Sequence, residues 1–380
     1  MQIPNPYIWK HYKKLIIVPI VLLLASTFFI FFKGIPAGVD LKGGLLITVQ
    51  TDENVNLQLL KQKLTPFSDE VEARFYEGPA GKGVEIELGI NENIEKADAL
   101  VRELKEKDTE LLREEQNIQA YKNSKERDAA EELAKAEKRA AELRKEILEK
   151  ARLALEYIGS KKSLGSEPHD AVKTADEELG NAREESRDKI MEAIGSVIKV
   201  KDYSFKEVGS SLSKFFFAKT YEVIFYAFVL SAIIIFFVIR NIIASVAVIS
   251  GAFSDIWITL GLMSILNIPL NLASVAAILM LIGFSLETDC MLTIRVMKRT
   301  EDTPEIRAYE AMKTGFLMNL CAIGSFGVLV LVSMWLQIPT YYQIGTVAVM
   351  GSIVDFIATW LANAIMVLWY VERQQKKRMR

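Results

Sequence analysis

Four acidic residues stand in stretches that are otherwise apolar: Asp255, Glu287, Asp289 and Asp355. Asp255 and Asp355 have apolar sequence on both sides. Glu287 and Asp289 interrupt Leu270–Arg299, LNLASVAAILMLIGFSLETDCMLTIRVMKR, whose apolar run resumes at Met291–Ile294 and ends on Arg295, Lys298 and Arg299. An acid at the centre of a membrane helix costs roughly 2.5–3.5 kcal/mol, less toward the ends. A surrounding of low dielectric lets a carboxyl keep its proton toward neutral pH, which is what reversible proton uptake requires. Two readings follow: the acids are hydrated or hydrogen-bonded structural groups, or they face other helices and handle protons or ions. Four acids over three helices favour the second. Lys313, at the start of the next apolar run, is a candidate counter-charge, although snorkelling to the surface is the simpler account.

Helix geometry separates the paired acids. At about 100° per residue, Glu287 and Asp289 lie roughly 200° apart and cannot share a face. Asp289 has Ser285 and Thr293 one turn away on either side and Thr288 beside it, so its stripe is polar. Glu287 is flanked by Gly283, Cys290 and Met291 and is more solitary. Each acid is therefore expected to meet a different partner helix.

The elements that must hold these residues can be read from the distribution of charge. The chain has 380 residues, is 51% hydrophobic and has a net charge of −2, but its charges concentrate between Lys33 and Lys219. Six apolar runs are expected to cross a membrane: Leu15–Phe32, Val223–Ile239, Ile242–Leu266, Leu270–Ile294, Thr314–Leu336 and Gln343–Tyr370. The first is longer than a signal-peptide core, and the bulky Phe28–Phe32 stands where cleavage would fall. Turns are expected at Arg240-Asn241, at Asn267–Leu270 and, with Pro339, at Gln337–Tyr342. Arg295–Lys313 reads as a loop. The basic groups (Lys10, Lys13, Lys14, Arg240, the ends of the 295–313 loop and the tail from Arg373) then fall on one side. The positive-inside rule puts both ends in the cytoplasm and the large region between the first two helices outside. The expected divisions are residues 1–14, 15–32, 33–219, 220–371 and 372–380. Several glycines in these runs (251, 261, 283, 315, 324, 327, 345 and 351) permit close helix contacts.

The outer region opens with Gly34-Ile-Pro-Ala-Gly-Val-Asp-Leu-Lys-Gly-Gly44, which suits tight turns. It resembles a phosphate loop only superficially, because Leu45-Leu46 stands where Lys-Ser/Thr would be needed. A strand is expected at Leu45–Val49, a short helix at Asn56–Lys63, a hairpin from Glu70–Tyr76 and Val84–Gly89 around a turn at Gly78–Gly83, and a last strand at Ile198–Tyr203. This order predicts an α+β domain of ferredoxin-like type. Residues 93–193 form a charge-dense helical insertion. Within it Leu133, Ala136, Ala140, Leu143 and Ile147 step by three and four as a coiled-coil seam, continued by Ala151, Ala154 and Ile158; Val101, Leu104 and Leu111 make a weaker one. Ser163–Pro168 breaks the block before a third helix to about Ile194. A solvated helical hairpin is the simpler reading; an arm touching a partner or an emerging polypeptide is the alternative. The two cysteines, Cys290 and Cys321, lie in apolar runs, which excludes a disulfide framework for the outer region. Two Cys and two His offer no metal-ligand spacing, and nothing reads as nucleic-acid binding or catalytic.

One helix, a large outer domain, then five helices, with Gly38-Val-Asp-Leu-Lys-Gly-Gly44 after the first helix and Ile282-Gly-Phe-Ser-Leu-Glu-Thr-Asp289 in the fourth, resembles the SecF branch of the SecD/SecF family. Phe253-Ser-Asp255-Ile, Val354-Asp355-Phe-Ile-Ala-Thr-Trp360 and the archaeal-looking Arg295-Val-Met-Lys-Arg299 are similar to the same family. The resemblance implies a resistance-nodulation-division-type bundle that pairs with SecD beside the Sec translocon. It further implies use of the proton-motive force to move unfolded secreted polypeptides across the membrane, with no cofactor and no enzymatic reaction. It marks Gly38, Asp40, Gly43, Gly44, Gly283 and Ser285 as motif residues, and Asp255, Glu287, Asp289, Asp355 and Lys313 as the proton or ion relay group. Leu41 stands where the family usually has Phe. Thr288 matches the bacterial fourth-helix Asp, Glu287 falls where SecD carries its Asp, and Lys313 takes the place of a fifth-helix Arg. The resemblance gives no role to the insertion. Two rivals remain: a scaffold without energy transduction, and a small-molecule exporter of the same superfamily.

Overall fold

A computed structural model describes residues 4–78, 81–123, 129–336 and 338–378. It divides into two compact units, one comprising mainly the N-terminal segment through Gly43 and the chain from Ser211 onward, the other Gly44–Phe75 with Gly83–Ser210.

The N-terminal segment makes two 3₁₀ turns, Pro6–Ile8 and Tyr12–Ile16, the second running into α1 (Ile17–Phe32). Pro19 falls just after the change from the 3₁₀ turn to α1, where the backbone hydrogen-bond pattern already shifts. A single turn, α2 (Val39–Lys42), ends on Gly43, whose φ of 83° is open to glycine.

The second unit contains β1 (Gly44–Thr51), α3 (Leu57–Leu64), β2 (Val71–Gly78), β3 (Gly81–Leu88), α4 (Glu92–Asn123), α5 (Ala129–Ile158), α6 (Pro168–Gly195) and β4 (Asp202–Val208). The sheet order is β2-β3-β1-β4, with β4 antiparallel to β1 from Gly44↔Val208 to Gln50↔Asp202. Ile47, Val49, Leu60, Leu64, Val84 and Ile86 fill the space between the sheet and its helices, joined by Ile190, Ile194 and Ile198 from the end of α6 and the turn after it. Leu104 and Leu111 of α4, Leu143 and Ile147 of α5 and Leu179 of α6 form a separate core within the insertion. The seam expected on α5 is buried from Ala136 to Ala154, with Leu133 and Ile158 half-buried.

Among the described residues six helices are long and apolar enough to cross a bilayer, so this is a multi-pass membrane protein. After the first come α7 (Ser210–Ile239), α8 (Ile242–Leu266), α9 (Leu272–Lys298) and α10 (Pro304–Leu336). The sixth span is compound: α11 (Pro339–Ala358), a π turn at Thr359–Asn363, and α12 (Ala364–Arg378). Asn241 caps α8 by accepting the Ala244 N–H, and Asn271 with Ser274 forms a capping box at the start of α9.

Several expected boundaries move. The last strand is β4, not Ile198–Tyr203. Ile198 instead packs in the core after α6, and β4 is a largely exposed edge strand whose apolar alternation, Tyr203 and Phe205, breaks off at Glu207. α7 begins at Ser210 rather than Val223. Most of the expected 295–313 loop is helical, because Ala308, Ala311 and Met312 give the charged start of α10 a buried face. The turn expected at Gln337–Tyr342 is largely the first turn of α11, which Pro339 opens; Gln337 lies outside the described residues. The tail from Arg373 continues α12, with Arg380 outside the described residues. Of the hairpin turn expected at Gly78–Gly83, Gly78 ends β2 and residues 81–83 begin β3, while residues 79 and 80 lie outside the described residues.

Candidate functional site

Asp255 of α8, Asp289 of α9 and Asp355 of α11 are 3%, 0% and 3% exposed, and the fold brings them together. Each comes from a different helix, so the site exists only when the three pack. Burying a lone carboxylate costs several kcal/mol unless donors or a cation compensate it, so the partners of each oxygen decide what the group can do.

Asp355 is well supplied. Thr288 Oγ1 of α9 donates to both its oxygens at 3.0 and 3.3 Å. Asn319 Nδ2 of α10 donates to Oδ2 at 2.9 Å, and Thr359 Oγ1 of the π turn to Oδ1 at 3.2 Å. Asp255 receives one donor, the Ser285 hydroxyl of α9, and its Oδ1 has none. The Asp255 and Asp355 carboxyls face each other. Asp289 has no hydrogen-bond partner on either oxygen, although Thr359 and Asn363 stand beside it. The Asn363 amide and the Thr293 hydroxyl are likewise buried and unpartnered.

The backbone makes room for this. A Cβ at Gly251 of α8 would overlap Asp289 Oδ2, so only glycine lets α8 lie against that carboxyl. A Cβ at Gly315 of α10 would overlap the Trp360 ring in the same way, and Trp360 belongs to the π turn. Asp355, Thr359 and Asn363 are spaced by four. In a regular α-helix each such step drifts about 40°, whereas the wider π turn offsets that drift between Thr359 and Asn363.

No cation pairs with these carboxyls among the described residues. Three carboxyls buried beside one another repel when charged, and a proton shared among them would relieve that repulsion. Asp355, with its donors, is suited to hold the negative charge. Asp289, with none, is suited to take up a proton or another small positive group.

The other expected relay residues lie elsewhere. Glu287 is exposed, on the face of α9 opposite Asp289, and no hydrogen bond or ion pair joins it to another helix among the described residues. Lys313 is exposed too, 2.7 Å from Glu310 and 4.5 Å from the Tyr309 ring centroid, and is not brought to the carboxyls. Gly283 has open space where a Cβ would stand, while Ser285 serves Asp255.

The motif after α1 is a clip rather than a ligand loop. The Gly38 N–H donates to Leu270 O at 2.9 Å, and the Leu270 N–H to Pro36 O at 2.7 Å. Asp40, 3% exposed, accepts the Leu272 N–H at 3.3 Å, and a carboxylate at a helix N-terminus is stabilised there. Gly43 completes the α2 turn, and a Cβ at Gly44 would overlap Leu88 O. The clip thus fastens the start of α9, the helix that carries Ser285, Thr288 and Asp289.

Asn319, Thr359 and Asn363 went unread in the sequence. Uncharged polar residues in apolar runs look like ordinary interruptions; the steps of four from Asp355 to Thr359 and on to Asn363 are the available signal, and Asn319 offers none. Among the described residues no group of three or more His, Cys, Asp or Glu is arranged to hold a metal.

Residues 188–373 match the family described as Protein export membrane protein SecD/SecF, C-terminal. The protein-export membrane protein SecF of Methanothermobacter thermautotrophicus is 41% identical over 186 residues, covering 48% of this chain and 64% of that one. The SecF of Methanocaldococcus jannaschii is 29% identical over 377 residues, 97% of this chain and 99% of that one. The match to the first therefore spans less than two thirds of its length. Among solved structures, SecDF from Thermus thermophilus, a translocon-associated membrane protein, aligns with a TM-score of 0.60 at 13% identity. That alignment covers 98% of this chain and 40% of SecDF, and shows likeness of fold.

Proposed function

Because residues 188–373 match the SecD/SecF family of protein-export membrane proteins and SecF proteins align with this chain, we propose that it is a member of that family and an accessory subunit of the Sec export machinery. In this reading it works with SecD beside the translocon, using the proton-motive force to help unfolded secreted polypeptides cross the membrane. The observation that carries the reading is the carboxyl cluster: three buried acids from three helices, with unfilled oxygens on Asp289 and no cation among the described residues. Net transport needs a proton-linked change between two states, and a site that exists only when α8, α9 and α11 pack together couples protonation to their arrangement.

The orientation is part of the proposal. Lys10, Lys13, Lys14, Arg240, Arg295, Lys298, Arg299, Arg373, Lys376 and Lys377 favour, by the positive-inside rule, both termini in the cytoplasm and the α+β unit outside. The order β2-β3-β1-β4 supports a ferredoxin-like sheet, and the α4–α5 seam supports a coiled-coil arm reaching from it. Apolar side chains exposed on α1 and α7, such as Phe31, Phe32, Phe225 and Phe237, fit contact with lipid or with SecD.

The test is export into membrane vesicles containing this chain and SecD, with and without a proton gradient, for Asp255→Asn, Glu287→Gln, Asp289→Asn and Asp355→Asn. Loss of the gradient-dependent part is expected in Asp289→Asn and Asp355→Asn, with Glu287→Gln retaining it. Full gradient stimulation in all four variants would overturn the reading and leave a scaffold without energy transduction.

A further inference from the structure

The residues before the first span do not trail from the bundle. Asn5 accepts the Tyr7 N–H at 2.9 Å and closes the turn Pro6–Ile8, which turns the Tyr7 ring inward. Tyr7 is 1% exposed. Its ring sits in a cluster with Met312 of α10, Trp360 of the π turn and Ala364 and Leu368 of α12, and meets Tyr12 edge-on at 6.4 Å between centroids. Its hydroxyl donates to the Trp360 carbonyl at 3.0 Å, with Met312 Sδ at 3.8 Å. Tyr12 donates to Glu372, and Lys13 pairs with the same carboxylate at 2.6 Å, fixing the segment along α12.

The backbone that Tyr7 grips is the one that carries the cluster's support. Thr359 donates to Asp355, and Asn363 stands beside Asp289; both belong to the π turn whose Trp360 carbonyl accepts from Tyr7. A π turn is a strained insertion in an α-helix that persists where surrounding contacts hold it. We propose that Tyr7 is a positioning residue for the carboxyl cluster: its hydroxyl holds the π turn, and the π turn holds Thr359 and Asn363 against Asp355 and Asp289. The segment before the first span thereby becomes part of the site's support although it contributes no group to it. The proposal concerns the cluster of the export reading, but its readouts do not depend on export.

The experiment compares the full chain in lipid nanodiscs as wild type, Tyr7→Phe and Tyr7→Ala. Tyr7→Phe keeps the ring in its cluster and removes only the donor, so a packing role alone predicts wild-type behaviour. Two quantities are read: amide hydrogen exchange of peptides covering 355–365, and the pH midpoint of the buried carboxyl infrared band. Loss of one hydrogen bond is expected to speed exchange of the π turn about fivefold in Tyr7→Phe, with α8 unchanged. The carboxyl midpoint should move with it, and Tyr7→Ala should do both more strongly. Exchange and midpoint equal to wild type in Tyr7→Phe would overturn the proposal, as would uniform acceleration across the bundle or a loosened π turn with an unmoved midpoint. If the aspartate variants keep gradient-dependent export while Tyr7→Phe still shifts the carboxyl midpoint, the export reading falls and this one stands.

Discussion

Charged groups on α4, α5 and α6 stand at the surface in opposite-sign pairs, whereas the carboxyls of α8, α9 and α11 are few, buried and without a cation. In the insertion, Lys107 reaches Glu146 at 2.5 Å, Arg144 reaches Glu115 at 2.7 Å and Lys105 reaches Asp176 at 2.8 Å, over a core of Leu104, Leu111, Leu143 and Ile147. In the bundle, Asp289 has two unfilled oxygens and Asp255 one. The difference follows from the solvent each helix faces. Water and neighbouring charges compensate any one surface pair, so the insertion takes its stability from leucines. The dry bundle has nothing to spare, so single oxygens and single hydrogens matter.

That contrast can be tested by substitutions whose effects should fall in a definite order. Leu104→Ala, opening a cavity in a fully buried position, should cost the α+β unit about 2–5 kcal/mol in chemical unfolding. A loss below about 1 kcal/mol would mean that the ion pairs carry more than this account allows. Gly251→Ala should come next: its methyl overlaps Asp289 Oδ2, at a cost of about 1–3 kcal/mol in thermal stability. Unlike the leucine variant, it should also remove gradient-dependent export, and retention of that activity would show that α8 need not lie against the carboxyl.

A third effect is smaller and depends on pH. His169 of α6 contacts Asp108 at 2.5 Å and Glu115 at 3.4 Å, both on α4, and Arg144 of α5 shares Glu115. Burial lowers the pKa of His169, but the hydrogen bonds and charges of Asp108 and Glu115 outweigh it and hold the group above its usual range. Burial raises Glu115, yet Arg144 and His169 bring it below the ordinary carboxylate range. The His169 contribution is full below its unfolded value of about 6.5 and fades as pH rises through the raised value. That of Glu115 is full above about 4.5 and fades as pH falls through the lowered one. Protease resistance of the insertion should therefore be greatest in mild acid and decline toward alkaline pH, and His169→Asn should flatten the alkaline decline. The smallest effect belongs to Lys135→Ala, which breaks exposed pairs with Glu131 and Glu132 and should change stability by less than about 0.5 kcal/mol.

Much of the site could be read from residue types because charge in an apolar run is conspicuous. Asp255 and Asp355 stood out by depth alone, and the 200° between Glu287 and Asp289 matches one buried and one exposed carboxyl. The element order of the α+β unit was legible too, since β1, α3, β2 and β3 each carry an alternation or a cap such as Asn56. What stayed hidden lacked a signal in composition. The π turn adds one residue to a helical turn without altering its apolar character, and Asn319 and Asn363 carry no charge. β4 lies at a sheet edge, where little burial is required of it. The start of α10 reads as a loop because its charges hide the buried stripe of Ala308, Ala311 and Met312.

That no basic side chain pairs with Asp255, Asp289 or Asp355 among the described residues has an electrical consequence for the proposed site. When one of these groups gains or loses a proton, the net charge of the site changes, and that charge lies near the middle of spans such as α8. A full crossing is worth about 2.3 kcal/mol per elementary charge for each 100 mV of membrane voltage, and a site midway through collects roughly half. If the cluster exchanges protons as proposed, a polarised membrane with equal pH on its two faces would still bias how often the site is occupied, and the bundle would respond to voltage as well as to acidity.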